Sequence, residues 1–284
     1  MNEQKWVRPF LKWPGSKFDL LSVLEDELSI LEGKHLMEPF CGSGVVSLNM
    51  GHRFEKCIAA DANEDLVCLL RLAQKTPELL IKEGMEVYAR GGKKDAFDAT
   101  VVEYNQEVSV KRRAVLLLYL NRHCFNGLIR YNQKGIYNVP VGEFKQILAP
   151  WDLIRTFTEN SQHIEFVHST FEKLLSLAKP GDVVYSDPPY LPIDGKTSFT
   201  AYHKPFRLRH HVVLRDYHRE LSLRGIPNAI SNHDCKMSRH LYSTSKYLAF
   251  EVQRSIGSKT RGKAPECIAV FTKPALNTKQ AMLT

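Results

Sequence analysis

One turn decides the fold. In "HLMEPFCGSG", His35 to Gly44, a short apolar run ends in an acid and breaks into Pro-Phe-Cys-Gly-Ser-Gly. The run predicts a strand stopping at Glu38, and Gly42 and Gly44 let the following backbone approach a ligand closely. The next strand, "KCIAA" (56–60), leads straight into Asp61. The first strand is "KHLME" (34–38), and, working outward, "HIEFV" (163–167), "DVVYS" (182–186), "PNAIS" (227–231), "KYLAFEV" (246–252) and "CIAVFT" (267–272) read as further strands. Helical patterns lie between most of them. "FDLLSVLEDELSIL" (18–31) has helical apolar spacing; "NEDLVCLLRLAQ" starts at the N-cap Asn63; "TPELLIKEGMEVYA" starts at Thr76 with Pro77 at the first helical position. Alternating strands and helices predict an α/β fold with a mostly parallel, doubly wound sheet.

The alternation breaks between Asp65 and Asn160. The chain is helical up to Leu120 and then becomes a segment rich in Asn, Gly, Arg and aromatics, with turn signals at Asn126-Gly127 and Gln133-Lys134-Gly135. This predicts a division into residues 1–64 with 151–284, and a mainly helical insertion, 65–150, carrying a β-hairpin. The final "PALNTKQAMLT" reads as a loose tail.

The chain has 284 residues and a formal net charge of +8. Residues 105–150 hold seven Lys or Arg against two acids, and residues 252–284 hold six against Glu266 alone. Two basic zones suit a polyanion, nucleic acid before membrane, although a solvated basic face would look the same. Six cysteines without a C-x-x-C pair read as small buried hydrophobes of a reducing compartment, and no metal site is expected. With no signal-peptide pattern and no apolar run near the roughly 20 residues that span a bilayer, a cytoplasmic protein without membrane contact is expected.

The Gly-rich turn and Asp61 suit a ligand carrying a ribose, bound where the strands end. Ser47 stands where a dinucleotide fingerprint would have its third Gly, so a nucleoside without a pyrophosphate fits better, and S-adenosylmethionine is such a molecule. A plain Gly-rich connection followed by an unrelated Asp remains open at this point. "VVYSDPPYLP" (183–192) poses a similar choice between a turn that ends a strand and a site. The amine of adenine is a poor nucleophile because its lone pair is delocalised into the ring. Two acceptors aimed at its hydrogens, the Asp187 carboxylate and the Pro188 carbonyl, would restore that lone pair. The prolines stiffen the turn, and Tyr190 offers a π-face to a base turned out of a duplex. Such a reaction needs alignment and placed charge, with no metal.

These segments together resemble the DNA adenine-N6 methyltransferases of the Dam type, over nearly the whole chain. "FLKWPGSK" (10–17) is similar to that family's N-terminal cofactor motif, "EPFCGSG" (38–44) to its Gly-rich loop and "DPPY" (187–190) to its catalytic motif. "NRHCFNGLIRYNQKGIYNVPVG" (121–142) resembles its target-recognition hairpin, and "SFTAYH" (198–203) and "SNHD" (231–234) match segments after the catalytic loop. The resemblance implies a Rossmann-like S-adenosylmethionine-dependent fold in which 65–150 is the target-recognition insertion. It implies methyl transfer to N6 of a flipped-out adenine in double-stranded DNA, within GATC, leaving S-adenosyl-L-homocysteine. The protein would be a monomer without an obligate protein partner, in a bacterial cytoplasm or a phage-infected host.

By the same resemblance, Trp13, Lys17, Asp61 and Asp187 would contact the cofactor. Glu38, Phe40 and Gly42 would shape its pocket, and Thr170 and Phe171 would lie against its adenine. Asp187, Pro188 and Tyr190 would hold the target base. Lys12 would contact the first guanine, Leu128 and Pro140 the outer pyrimidine, and Arg130 another guanine through O6 and N7. Phe125 and Asn126 would enter the duplex, Asn132 and Phe144 would face DNA, and Arg254, with Lys259 and Arg261, would bind phosphates. Pro14, Ser16, Cys124, Phe125 and Phe144 depart from the commoner family residues. Rival readings are a cytosine-N4 enzyme, an RNA or protein-glutamine methylase, a non-catalytic DNA-binding relative and a dehydrogenase. Asp187 directly before Pro-Pro, with Ser186 one residue early, favours adenine over cytosine.

Overall fold

The computed structural model describes residues 6–29, 31–144, 146–193, 206–256 and 260–272; of Ser29, 253–256 and 260–262 only the backbone is described. "SFTAYH", Lys259 and the C-terminal tail lie outside the described residues. A 3-10 turn over Phe18–Leu20 opens into α1 (Leu21–Ser29). Then follow β1 (His35–Glu38), α2 (Val45–Met50), β2 (Lys56–Asp61), α3 (Glu64–Lys75), α4 (Pro77–Tyr88), α5 (Lys94–Gln106) and α6 (Val110–His123). After the hairpin segment come α7 (Trp151–Asn160), β3 (Ile164–His168), α8 (Phe171–Ser176), β4 (Asp182–Ser186) and α9 (Leu208–Leu223). The last elements are β5 (Asn228–His233), α10 (Lys236–Leu241), β6 (Lys246–Ile256) and β7 (Thr260–Phe271).

The seven strands form one sheet in the order β3-β2-β1-β4-β5-β7-β6. Pairing is parallel from β3 to β5, and β7 runs antiparallel to both its neighbours. The α/β class and mostly parallel sheet agree with the sequence. Successive residues feed opposite faces: Leu36 and Val183 join one apolar cluster, Met37 and Val184 the other. β6 and β7 extend beyond their apolar stretches, because 253–256 and 260–263 pair as a polar two-stranded arm held by backbone bonds. Asn63 caps α3 as expected, accepting from Leu66 N at 3.1 Å. Thr76 does not cap α4 with its side chain. It also ends α3, so its hydroxyl turns back to the Leu72 carbonyl at 3.4 Å, while Pro77 starts α4. Among the described residues no helix is long and apolar enough to cross a membrane. All six cysteines are free thiols.

α6 anchors the insertion. Its residues from Ala114 to Asn121 are all buried, as expected of a stretch that is apolar on every face from Ala114 to Leu120, and α3, α4 and α5 pack about it. The hairpin beyond it consists of two isolated antiparallel bridges, Cys124–Val141 and Tyr131–Tyr137, rather than a continuous ladder. Its tip is an Asx-type turn in which Asn132 Oδ1 accepts from Lys134 N and Ile136 N. Asn121, wholly buried, joins three segments. It accepts from Lys12 N at 2.9 Å and donates to the Lys12 carbonyl at 2.7 Å and the Gly127 carbonyl at 3.0 Å. Asn121→Ala would strand these three backbone groups, so we expect a loss of about 2–4 kcal/mol, read by urea unfolding.

Candidate active site

The order of the strands reverses between β1 and β4, the point where open α/β sheets bind ligands beyond their carboxyl ends. The Gly-rich turn after Glu38 and the Asp187 turn after Ser186 therefore lie side by side. Glu38 is 1% exposed, and its Oε2 accepts from the backbone N–H of Ser47 at 3.0 Å and from the Ser47 hydroxyl. The residue that breaks the dinucleotide fingerprint thus clamps the strand-end acid. Burial pushes Glu38 up to about 8 despite these bonds, with Asp187 and Asp61 adding to the effect. Asp61 is also raised by burial, against bonds from Gly42 N at 3.2 Å and Asn63 N at 2.9 Å.

Trp13-Pro14-Gly15-Ser16 forms a tight turn closed by Ser16 N to Trp13 O at 3.1 Å, with Pro in the second position and Gly15 at φ 75° in the third. The turn lays Trp13 over Gly42, where a Cβ would fall 2.5 Å from Trp13 Nε1. It also sends Lys17 inward: Nζ donates to the Gly15 carbonyl and pairs with Asp187 Oδ2, both at 2.8 Å. Asp187 is raised by burial, opposed by Lys17 and reinforced by Glu266. Its other oxygen, Oδ1, is buried without a hydrogen-bond partner among the described residues, as is the Ser43 hydroxyl of the Gly-rich turn.

Tyr190 is held by several neighbours. Its hydroxyl donates to Glu266 Oε2 at 3.0 Å, His233 meets the ring edge-on at 4.8 Å, and Lys17 Nζ lies 4.7 Å from the ring centroid. Asn232 Oδ1 accepts from Leu191 N at 2.9 Å, and His233 Nδ1 bonds the Leu191 carbonyl at 2.7 Å, so "SNHD" clamps the loop that leaves Tyr190. Sequence reasoning assigned no role to Glu266, Asn232 or His233. Glu266 carried a signal, as the lone acid of a basic segment. Phe40 stacks on Phe171 at 5.4 Å, and Phe206, also unanticipated, closes that cluster edge-on. The Thr170 hydroxyl caps α8, accepting from Lys173 N at 3.4 Å.

The hairpin alternates. Ile129, Tyr131, Tyr137 and Val139 are buried, Arg130 is partly exposed, and Phe125, Asn126, Asn132 and Pro140 are exposed, while Leu128 is partly buried against the core. The hairpin residues expected to face DNA are thus all at least partly exposed. Asn126 takes a left-handed conformation at φ 53°. Arg130 is braced by Asn138, donating to its side-chain oxygen at 3.0 Å and to its carbonyl at 2.9 Å. Lys12 lies beside the hairpin: its Nζ is 4.1 Å from the Phe144 ring centroid, and Gly127 (φ 66°) presses directly against its Cβ and backbone. Arg254 lies on β6 opposite Gly262; its side chain is outside the described residues.

Fold and site define a doubly wound α/β protein with an acid-lined crevice at its switch point. The chain matches the model of the D12 class N6 adenine-specific DNA methyltransferases over residues 13–256. It is 36% identical over 273 residues to the DNA adenine methylase of Escherichia coli (strain K12), spanning 95% of this chain and 96% of that one. Against the DNA adenine methylase of Serratia marcescens it is 35% identical over 269 residues, spanning 93% and 98% of the two chains. Against that of Haemophilus influenzae it is 36% identical over 270 residues, spanning 93% of each. The chain belongs to the D12 class N6 adenine-specific DNA methyltransferases, site-specific enzymes that methylate adenine in DNA.

A cationic ligand in the crevice would favour the ionised form of Glu38. Its affinity should therefore rise as pH climbs towards about 8 and level off above it. Calorimetric titration with S-adenosylmethionine in buffers of different ionisation heat would register the released proton, and Glu38→Gln should flatten the profile.

Proposed function

We propose that the methyl donor is S-adenosylmethionine, that the target is an adenine turned out of duplex DNA within GATC, and that the reaction is centred on Asp187. The observation that carries this reading is the division of labour in the Asp187 carboxylate: Oδ2 is held by Lys17 while Oδ1, buried, has no partner among the described residues. S-adenosylmethionine would supply a methyl group on a cationic sulfur, already activated for displacement. Glu38, Asp61 and Asp187, three acids each pushed up by burial, suit such a cation, and the Ser43 hydroxyl offers a further polar partner. Trp13, Lys17, Phe40, Gly42, Thr170 and Phe171 would complete its surroundings.

Asp187 Oδ1 and the Pro188 carbonyl accept the two hydrogens of the target amine and draw its nitrogen towards sp³. Tyr190, fixed by Glu266 and His233, offers its ring to the base. Residues 65–150 act as the recognition unit and the rest as the catalytic one. Lys12, Leu128, Arg130 and Pro140 read bases, Phe125 and Asn126 enter the duplex, Asn132 and Phe144 border it, and Arg254 binds phosphate. The enzyme works as a monomer, in a bacterial cytoplasm or a phage-infected host.

Asp187→Ala should abolish tritiated methyl transfer onto unmethylated duplex DNA while DNA binding persists; retained turnover would overturn the mechanism. Digestion of the product with nucleases that distinguish methylated GATC tests the site. Arg130→Ala should erode discrimination between GATC and singly altered sites by about 1–3 kcal/mol, the range for a lost bidentate base contact. Unchanged discrimination would remove Arg130 from the readout.

A further inference from the structure

We infer that Ser186, His218 and Asn228 form a buried hydrogen-bonded chain that holds Asp187 in its working position, with His218 as the positioning residue. The inference rests on Asp187 being the group that meets the target amine. Ser186 is the last residue of β4 and immediately precedes Asp187. All three side chains are completely buried. Ser186 Oγ lies 2.9 Å from His218 Nε2 on α9, and His218 Nδ1 lies 2.7 Å from Asn228 Oδ1 at the start of β5.

Every proton in this chain can be assigned. Asn228 Nδ2 donates to two carbonyls, of His218 at 3.1 Å and of Ile226 at 2.8 Å. That orientation leaves Asn228 Oδ1 as an acceptor, so His218 Nδ1 must carry the hydrogen. Burial pushes His218 down to about 4, so the ring is neutral near neutral pH and Nε2 presents a lone pair. The Ser186 hydroxyl must then donate to it. Its single hydrogen is committed away from the site and cannot compete for the Asp187 carboxylate.

The location of the chain gives it a role beyond packing. Tyr185, whose side chain enters the opposite face of the sheet, is tied by its own hydroxyl to Ser231 of β5 at 2.6 Å. The last two residues of β4 are therefore gripped on both faces by directional bonds, directly before the turn that carries Asp187. Apolar contacts of α9, such as those of Leu214 and Leu221, tolerate small slides that hydrogen bonds of fixed polarity do not. Buried polar groups are costly unless fully satisfied, and here they are, which yields a rigid and unique arrangement.

The test is single-turnover methyl transfer from S-adenosylmethionine to duplex DNA, with both saturating, alongside thermal melting and DNA affinity. Ser186→Ala should slow transfer about tenfold or more, since displacements on the order of 1 Å carry such costs, with DNA affinity within about twofold. Ser186→Cys, which keeps a weak donor to Nε2, should recover most of the rate. A normal rate per folded molecule in Ser186→Ala, or equal losses in the Ala and Cys variants, would overturn the inference. Nitrogen NMR of the unsubstituted protein should find His218 neutral with its hydrogen on Nδ1; the other tautomer would overturn it as well. Asp187→Ala separates the two readings. If that variant retains turnover, the catalytic assignment fails; if it is inactive while Ser186→Ala is normal, only the positioning chain fails.

Discussion

Parallel pairing of β1 with β4 is the constraint on which the site depends. With His35 opposite Asp182, Leu36 opposite Val183 and Met37 opposite Val184, both strands point the same way, and β4 ends one residue beyond the level of Glu38. Glu38 and Asp187 consequently emerge into one crevice. At the opposite end of the pair, His35 Nδ1 bonds Asp182 Oδ1 at 2.9 Å, which helps to lock the register. A slip of one residue would turn every side chain of the strand to the other face and take one of the two acids out of the crevice.

Gathering Glu38, Asp61 and Asp187 at the carboxyl ends of three neighbouring strands works against the fold's own stability, because each carboxyl loses water. Backbone N–H groups of Gly42, Ser47 and Asn63 and the Lys17 ammonium offset part of that loss. The remaining imbalance appears as the upward displacement of all three acids. Acids displaced in this way, gathered in one crevice, are what functional sites tend to collect, which supports the proposed role of this crevice.

The N-terminal segment couples the crevice to the hairpin surface. Lys17 reaches Asp187, Trp13 covers Gly42, and Lys12 is wedged between Asn121 and Gly127 beside the hairpin. A second tie runs from the end of β2. Asn63 donates to the Tyr131 hydroxyl at 3.3 Å, Tyr131 pairs with Tyr104 at 2.6 Å, and Tyr104 donates to Asp65, which Arg113 holds at 3.0 Å. The surface that faces outward on the hairpin is thereby set at a defined position relative to Asp187.

The sequence by itself determined the strands that are buried on both faces, because such strands read as continuous apolar runs, and it determined the turns, whose Pro, Gly and Asn residues act locally. The Asp187 turn and the Gly-rich turn were legible for that reason, as was the alternation of strand and helix. The order of the strands, the reversed direction of β7 and the polar arm of β6 and β7 were decided only in three dimensions. So were the grip of Glu266 on Tyr190, of Asn232 on Leu191 and of His218 on Ser186. Each joins residues far apart along the chain, and a single hydrogen bond between distant residues leaves no periodicity or spacing to read. Local chemistry names the acids and the turns; long-range pairing decides which of them face one another.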